Sequence, residues 1–381
     1  MSLKIFACGD VVNFNAKSDF IDNQLKNIIQ SSDIAICNFE APIKHDGMGK
    51  INKAGPHLYQ SKESVKYLKD VGFNFVSLAN NHIYDYGQLG IEQSILELKK
   101  HKIDIIGGGV DFDEAYTAKV VEKNGYKIGL IAACENEFGC LYEKQARGGY
   151  AWLFHDAIED NVRTLDKECD FVVLVAHAGV EGIDFPIKEW RDRYQRLCDV
   201  GVDVVIAHHP HVPQGFENYN GSLIFYSLGN FYFDTASFED ESDDSYSVIL
   251  DFDKSKGVDY NIVYHKKIDG KTCLQDQEEM SFSLKNLCDI LNTGYDYKNN
   301  AVCLKLFNQY YYNYYEQALD AMSIDFNILK KIKWIIKRFI FSRDNSGKRN
   351  LLLLHNIRID THRFIMQRAL SLISEDKKDN L

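Results

Sequence analysis

Short apolar runs alternate with longer stretches whose apolar residues recur every three or four positions. The short runs are Lys4–Cys8, Ile34–Phe39, Phe73–Leu78, Ile103–Gly107, Ile128–Ala133, Phe171–His177, Val204–Ala207 and Leu223–Leu228. Their length and their content of Val, Ile and Phe predict buried strands. Between them Phe20–Gln30, Ser61–Val71, Gly87–His101, Asp156–Glu168 and Lys188–Val200 carry a helical period, with Asp19 and Asp156 as candidate N-caps. Strand–helix alternation of this kind predicts an α/β domain. Tyr246–Phe252 and Val258–Lys266 predict an antiparallel hairpin, turning over Asp253–Gly257. Beyond Lys266 the pattern becomes helical throughout: Leu284–Leu291, Val302–Met322, Ile328–Phe341 and Asn350–Ile373. The expected division is therefore an α/β domain over 1–266 and a helical C-terminal region over 267–381.

Charge sharpens this division. The 381-residue chain carries a formal net charge of −11. From Lys330 to the end there are 13 Lys/Arg against 5 Asp/Glu, so the body is strongly acidic and the tail basic. An acidic body argues against non-specific binding to nucleic acid. The 9 Cys are scattered without a C-x-x-C pair and fit free thiols of a reducing compartment better than a disulfide frame. The N-terminus shows no signal peptide, and no apolar stretch is long enough for a transmembrane helix. These features give the expectation of a cytoplasmic protein. Within Ile328–Phe341 the residues Ile328, Ile332, Ile335, Ile336 and Phe339 face one side, and Lys330, Lys331, Lys333, Lys337 and Arg338 the other. Such a helix packs its apolar face on a protein core or lies on an anionic membrane surface as a peripheral contact.

The chemistry-bearing residues share one placement, at the carboxyl ends of the expected strands. Gly9-Asp10 follows the first; Asn38-Phe39-Glu40 ends the second; Asn80-Asn81-His82 follows the third. His177 ends its strand, His208-His209-Pro210-His211 follows another, and Ser227-Leu228-Gly229-Asn230 the last. In α/β sheets ligands bind beyond the carboxyl ends of the strands, so these clusters are expected to converge. Asp10, Glu40, Asn81, His177, His209 and His211 offer hard oxygens and imidazole nitrogens, a donor set that suits one or two divalent Mn, Zn or Fe ions. His209 and His211, two apart in an extended segment, are expected to face one side.

The order of these clusters resembles the calcineurin-like metallophosphoesterases, which carry D-x-H, G-D, G-N-H-D/E, a lone His and G-H-x-H at strand ends. The resemblance is closer to the CapA family of poly-γ-glutamate capsule biosynthesis proteins. It rests on SLANNHIYDYG (Ser77–Gly87), AHAGVE (Ala176–Glu181), HHPHVPQGFE (His208–Glu217) and SLGNFYF (Ser227–Phe233), and covers about residues 3–235. It implies a four-layer α-β-β-α metallophosphatase-like sandwich, here with a helical extension. It also implies a metal-dependent hydrolase site acting on an anionic capsule polymer or its precursor, or a non-catalytic component that binds such a polyanion or an assembly partner. Glu40 then stands where the family's bridging Asp is expected. His82 takes the place of the His that protonates the leaving group. Asp85 either orients His82 or caps the next helix, and Glu181, Gln214 and Asn230 are candidate substrate contacts. The chain departs from the pattern at Val12, where the D-x-H motif has its His, and at Ala178, where the family has Trp.

Overall fold

The computed structural model describes residues 2–235, 244–319 and 346–376. The chain divides into two compact units: Met1–Ile51 with His57–Tyr295, and Asn52–Pro56 with Asp296–Leu381.

The larger unit begins with β1 (Leu3–Val12), α1 (Asn23–Gln30), β2 (Ile34–Phe39), α2 (Glu63–Val71), β3 (Phe75–Ser77), α3 (Gly87–Lys100) and β4 (Asp104–Ile106). A connecting region follows, with β5 (Gly108–Gly109), α4 (Phe112–Tyr116), β6 (Lys119–Lys123), β7 (Tyr126–Cys134), β8 (Cys140–Leu141) and β9 (Gly149–Ala151). The chain continues through α5 (Asp156–Glu168), β10 (Phe171–His177), α6 (Lys188–Val200), β11 (Val204–His208), β12 (Phe216–Tyr219), β13 (Ser222–Phe225) and β14 (Asn230–Phe233). It ends with β15 (Ser245–Asp253), β16 (Gly257–Ile268), β17 (Lys271–Leu274) and α7 (Leu284–Asn292).

These strands form two large mixed sheets. The first runs β17-β16-β15-β1-β2-β3-β4, with β14 also lying along β1; the second runs β12-β13-β11-β10-β7-β6. β1 to β4 are mutually parallel, as are β7, β10, β11 and β13, so each sheet presents a row of carboxyl ends. Ile5, Ala7 and Ile36 of the first sheet share one apolar cluster with Leu130, Val173, Val175 and Ile206 of the second. The Phe171 and Phe252 rings meet across it at 5.2 Å. Helices cover the outer faces: α5 packs on β7 and β10, α6 on β13 and α3 on β4. This is the expected α-β-β-α sandwich.

Several local expectations shift. Helix α1 starts at Asn23, capped by Asp22, whose side chain accepts from Leu25 N. Asp19 instead pairs with Lys26 at 2.7 Å and with Lys271. Helix α5 is capped by His155, and Asp156 is its first residue. The expected hairpin is β15–β16, paired from Ser245–His265 to Asp253–Gly257. Strand β17 and α7 belong to the same unit, which extends to Tyr295.

The smaller unit is helical. The helix Tyr295–Leu306, whose first residue closes the larger unit, leads into a π-turn over Phe307–Tyr311 and then Tyr312–Leu319. The expected single helix over Asn350–Ile373 is two, Ser346–Arg358 and Asp360–Asp376, with Arg363 bonded to Asp360 in the first turn of the second. The amphipathic segment 328–341 lies outside the described residues. No helix among the described residues is long and apolar enough to cross a membrane.

Candidate metal centre

The site begins with a close approach of backbones. A Cβ on Gly9 would stand 1.7 Å from the Gly229 carbonyl oxygen, so only glycine lets the turn before β14 lie against β1. Asp10 N donates to that carbonyl at 3.2 Å. Asp10 thus sits between Asn38 of β2 and Asn230 of β14 as its strand partners. From the other sheet, β10 delivers His177 at its last residue, and the turn after β11 delivers His209 and His211.

That turn differs from expectation. His209 and His211 have φ of 98° and 59°, so the segment is a left-handed turn and not extended. Non-glycine residues in this region cost on the order of 1–3 kcal/mol each and persist where surrounding structure holds them. In this conformation both imidazoles reach the cluster, His209 Nδ1 lying 3.1 Å from His177 Nε2 and His211 Nε2 3.6 Å from Glu40 Oε1.

The six expected ligands converge. Asp10, Glu40 and His177 offer ligand atoms that all lie within 4.8 Å of one another. His211 Nε2 is 3.6 Å and His177 Nε2 3.7 Å from Glu40 Oε1. Asp10 Oδ2 is 3.4 Å from His211 Nδ1. Asn81 Oδ1 lies 3.2 Å and His209 Nδ1 3.1 Å from His177 Nε2. All six side chains are buried.

Several atoms in this cluster are poorly matched as a hydrogen-bonded core. Neither oxygen of Glu40 accepts a hydrogen bond among the described residues. Asn38 Nδ2 donates to Asp10 Oδ1 at 2.7 Å and approaches His177 Nδ1 at 3.0 Å. If His177 Nδ1 is the acceptor, the single proton of a neutral ring lies on Nε2, where Asn81 Oδ1, His209 Nδ1 and Glu40 Oε1 all face it. Buried polar groups are normally paired, so unmatched carboxylate oxygens among imidazoles fit a divalent cation. The donor set suits Mn, Zn or Fe.

The electrostatics carry the same mark. Burial, then the Asp10 charge, pushes the Glu40 carboxyl well above its ordinary range, against the pull of His211. Burial also raises Asp10, but the bond to His211 and the nearby imidazoles outweigh it and hold Asp10 below the usual carboxylate range. Burial would lower His211, yet the Glu40 charge and Asp10 lift it to about 10. Burial takes His209 down to about 4, and burial with the neighbouring His209 depresses His177 well below 6.5.

Around the cluster, Asp85 Oδ2 lies 2.7 Å from His82 Nδ1 and also accepts from Leu58 N at 2.8 Å. Helix α3 has Tyr86 as N-cap with no side-chain cap bond, so Asp85 orients His82 and does not cap the helix. Asn230 Oδ1 is 2.9 Å from His211 Nδ1. Gln214 is buried and its Nε2 donates to the Ile183 carbonyl at 2.7 Å, pinning the loop that carries Glu181. Glu181 is exposed, and its charge acts on Glu40, His209 and His211. Val12 is buried in a small apolar cluster with Ala41, Leu58 and Phe233, and offers no ligand.

Sequence reasoning passed over two buried carboxylates. Glu135 lies 3.6 Å from His209 Nε2 and accepts from Gly179 N at 3.2 Å; Glu137 accepts from Asn81 Nδ2 at 3.0 Å. Both follow β7, at the same carboxyl-end placement as the recognised clusters, so the placement rule alone would have found them.

Residues 4–235 match the family described as Bacterial capsule synthesis protein PGA_cap. The chain belongs to this family. It is 34% identical over 218 residues to the PGA biosynthesis protein CapA of Bacillus subtilis (strain 168), covering 57% of each chain. It is 30% identical over 223 residues to the capsule biosynthesis protein CapA of Bacillus anthracis, covering 57% of this chain and 54% of that one. The chain thus spans little more than half the length of these relatives. Among solved structures, a putative 5'-nucleotidase from Staphylococcus aureus aligns over 77% of this chain and 58% of its own at 13% identity, with a TM-score of 0.45.

Proposed function

We propose that this CapA-family chain holds one or two divalent cations between its sheets and uses them to hydrolyse a phosphoester or amide bond of an anionic capsule polymer or its precursor. The observation that carries this reading is the buried, unmatched Glu40 carboxylate amid Asp10, His177 and His211. Asp10, Glu40 and His211 would form one half of the centre, and Glu40, Asn81, His177 and His209 the other. Bound there, a divalent cation supplies Lewis acidity to a phosphoryl or carbonyl oxygen and lowers the pKa of water.

The chain's own groups do the rest. Burial excludes bulk water from the carboxylates and strengthens every interaction within the crevice. Asp85 fixes the His82 ring through Nδ1, which leaves Nε2 as the atom to pass a proton to a leaving group. Glu181, at the rim, is placed to meet the substrate, and Asn230 holds the His211 ring in register.

A second reading has its own observation. Val12 is packed in apolar surroundings where the phosphoesterase pattern has a His, so the first half of the centre has one ligand fewer. A single cation would then hold a polyanionic chain or assembly partner without turnover.

Elemental analysis of purified protein decides first. Two bound metals, lost in His209→Ala/His211→Ala, together with phosphoesterase or amidase turnover lost in His82→Ala, support the hydrolase. One metal and no turnover favour the binding component. No metal after supplementation sinks both readings.

A further inference from the structure

The turn after β7 is held more firmly than its lack of regular structure suggests. Glu135 N donates to the His177 carbonyl at 3.1 Å, which extends the β7–β10 pairing into the turn. Glu137 N donates to the Tyr150 hydroxyl at 2.9 Å, and Tyr150 is fully buried. Cys140 N returns to the Glu137 carbonyl at 3.3 Å. From this anchored backbone the Glu137 side chain reaches across to the first sheet's row of strand ends and meets Asn81.

Asn81 needs such a partner. A side-chain amide is nearly symmetric in shape, and a half-turn exchanges its oxygen for its NH2. A cation accepts the oxygen and repels the NH2, so an unrestrained amide would be a poor ligand. In the structure Asn81 Nδ2 points to Glu137 Oε1 at 3.0 Å, and Oδ1 points into the cluster, 3.2 Å from His177 Nε2. An ionised carboxylate only accepts, so it admits just one of the two amide orientations.

We propose that Glu137 is a positioning residue that locks the Asn81 amide with its oxygen facing the cation site. The inference rests on the metal reading above, since the lock has a purpose only if that oxygen is a ligand. A mere turn staple would affect thermal stability and leave metal affinity alone. Partners that orient metal ligands typically change affinity by about 10- to 100-fold when removed.

The test uses the full chain stripped of metal and titrated with Mn²⁺ by calorimetry, with the melting temperature of the metal-free protein measured in parallel. Glu137→Ala is expected to weaken Mn²⁺ binding by about 10- to 100-fold. In an Asn81→Ala background the same substitution is expected to add less than about twofold, because its partner is already gone. Wild-type affinity in Glu137→Ala would overturn the inference, and so would full additivity with Asn81→Ala, which would make Glu137 a ligand in its own right. If Glu137→Ala fails to fold, Glu137→Gln keeps the shape but pairs with either amide orientation. Several-fold weaker binding is then expected, and wild-type affinity would overturn the proposal. Absence of Mn²⁺ binding by the wild type would overturn the metal reading and this inference with it. Binding by the wild type that Glu137→Ala leaves unchanged would overturn the inference alone.

Discussion

The two ends of the sandwich use the same residue types in opposite ways. At the amino ends of the strands, Asp33 takes Lys4 N at 3.0 Å, Asn124 Nδ2 at 3.0 Å and Lys123 Nζ at 3.3 Å. Asp170 takes Lys127 N at 2.7 Å and Lys254 Nζ at 2.8 Å. These groups link the two sheets near solvent, and each carboxylate has its partners. At the carboxyl ends, Asp10 and Glu40 are fully buried among imidazoles, and Glu40 has no hydrogen-bond donor among the described residues. Two backbone positions there adopt left-handed φ. A fold that satisfies its charges at one end and leaves them unmatched and strained at the other reveals which end is arranged for a ligand.

The largest expected effect comes from removing the unmatched group. Glu40→Gln should abolish tight metal binding, by more than about 100-fold, since it would take out the charged ligand proposed to serve both halves of the centre. The same change should raise the melting temperature of the metal-free protein. The sign follows from the raised pKa: in the folded wild type the charged carboxylate is disfavoured, so wild-type stability falls as pH rises above the ordinary carboxylate range. The advantage of Glu40→Gln should therefore grow with pH. A melting temperature that drops at every pH would mean Glu40 is structurally matched, and the contrast between the two ends would fail.

A second effect tests how the carboxyl end is held together. His208, buried between the sheets, has Nδ1 3.1 Å from the Ala176 carbonyl of β10 and Nε2 3.1 Å from the Cys8 carbonyl of β1. The ring thus spans the two sheets beside the proposed ligands. His208→Ala leaves a cavity and removes the donor from one of the two carbonyls, since a neutral ring carries a single N–H, so a loss of about 2–4 kcal/mol is expected by urea unfolding, with an unchanged m-value. A loss below about 0.5 kcal/mol would show that the ring neither ties the two sheets together nor fills space they cannot close.

Much of this arrangement was legible in the sequence, and the failures have physical causes. The strands were visible because parallel strands buried on both faces read as apolar runs, and the converging polar side chains because each ends or follows such a run. The pairing of β14 with β1 was not visible. It depends on Gly9 and Gly229 meeting across more than 200 residues, and SLGNF alone looks like a turn. The left-handed turn at His209 and His211 was missed because local pattern favours extended backbone around Pro210, whereas tertiary contacts set its φ values. Glu135 and Glu137 were within reach of the placement rule, since both follow β7, but their partners His209 and Asn81 come from elsewhere in the chain and only the fold shows them. In the helical unit, apolar period alone could not show the break between Arg358 and Asp360 or the π-turn at Phe307–Tyr311.

A third effect uses a buried histidine away from the centre. His265 lies behind Phe231, with Nε2 2.9 Å from Ser247 Oγ. Burial holds its pKa down at about 3, against a smaller upward pull from the Tyr246 backbone and Asp244. Its folded value is below its unfolded one, so the unfolded chain binds the extra proton between roughly pH 6.5 and 3. Stability from this group is complete above that window and falls by up to about 1.4 kcal/mol per pH unit as pH drops through it. His265→Gln should flatten the acid limb of the unfolding profile. An unchanged limb would assign the acid sensitivity to the buried histidines at the carboxyl end instead.

The smallest effect belongs to the amino end. Lys254 is half exposed and pairs with an Asp170 side chain that is itself partly exposed. Such pairs contribute about 0–1 kcal/mol, because water solvates the separated charges nearly as well. Lys254→Ala should therefore shift the urea midpoint barely beyond error, and less still at high salt. Asp170→Ala should cost more, because that carboxylate also holds Lys127 N at the edge of β7, where a lost hydrogen bond adds about 1 kcal/mol. The ordering separates charge from backbone support at the same position. If Lys254→Ala proved as costly as His208→Ala, the amino end would be coupled as tightly as the carboxyl end. The unmatched charges at the carboxyl end would then no longer mark it as the site arranged for a ligand.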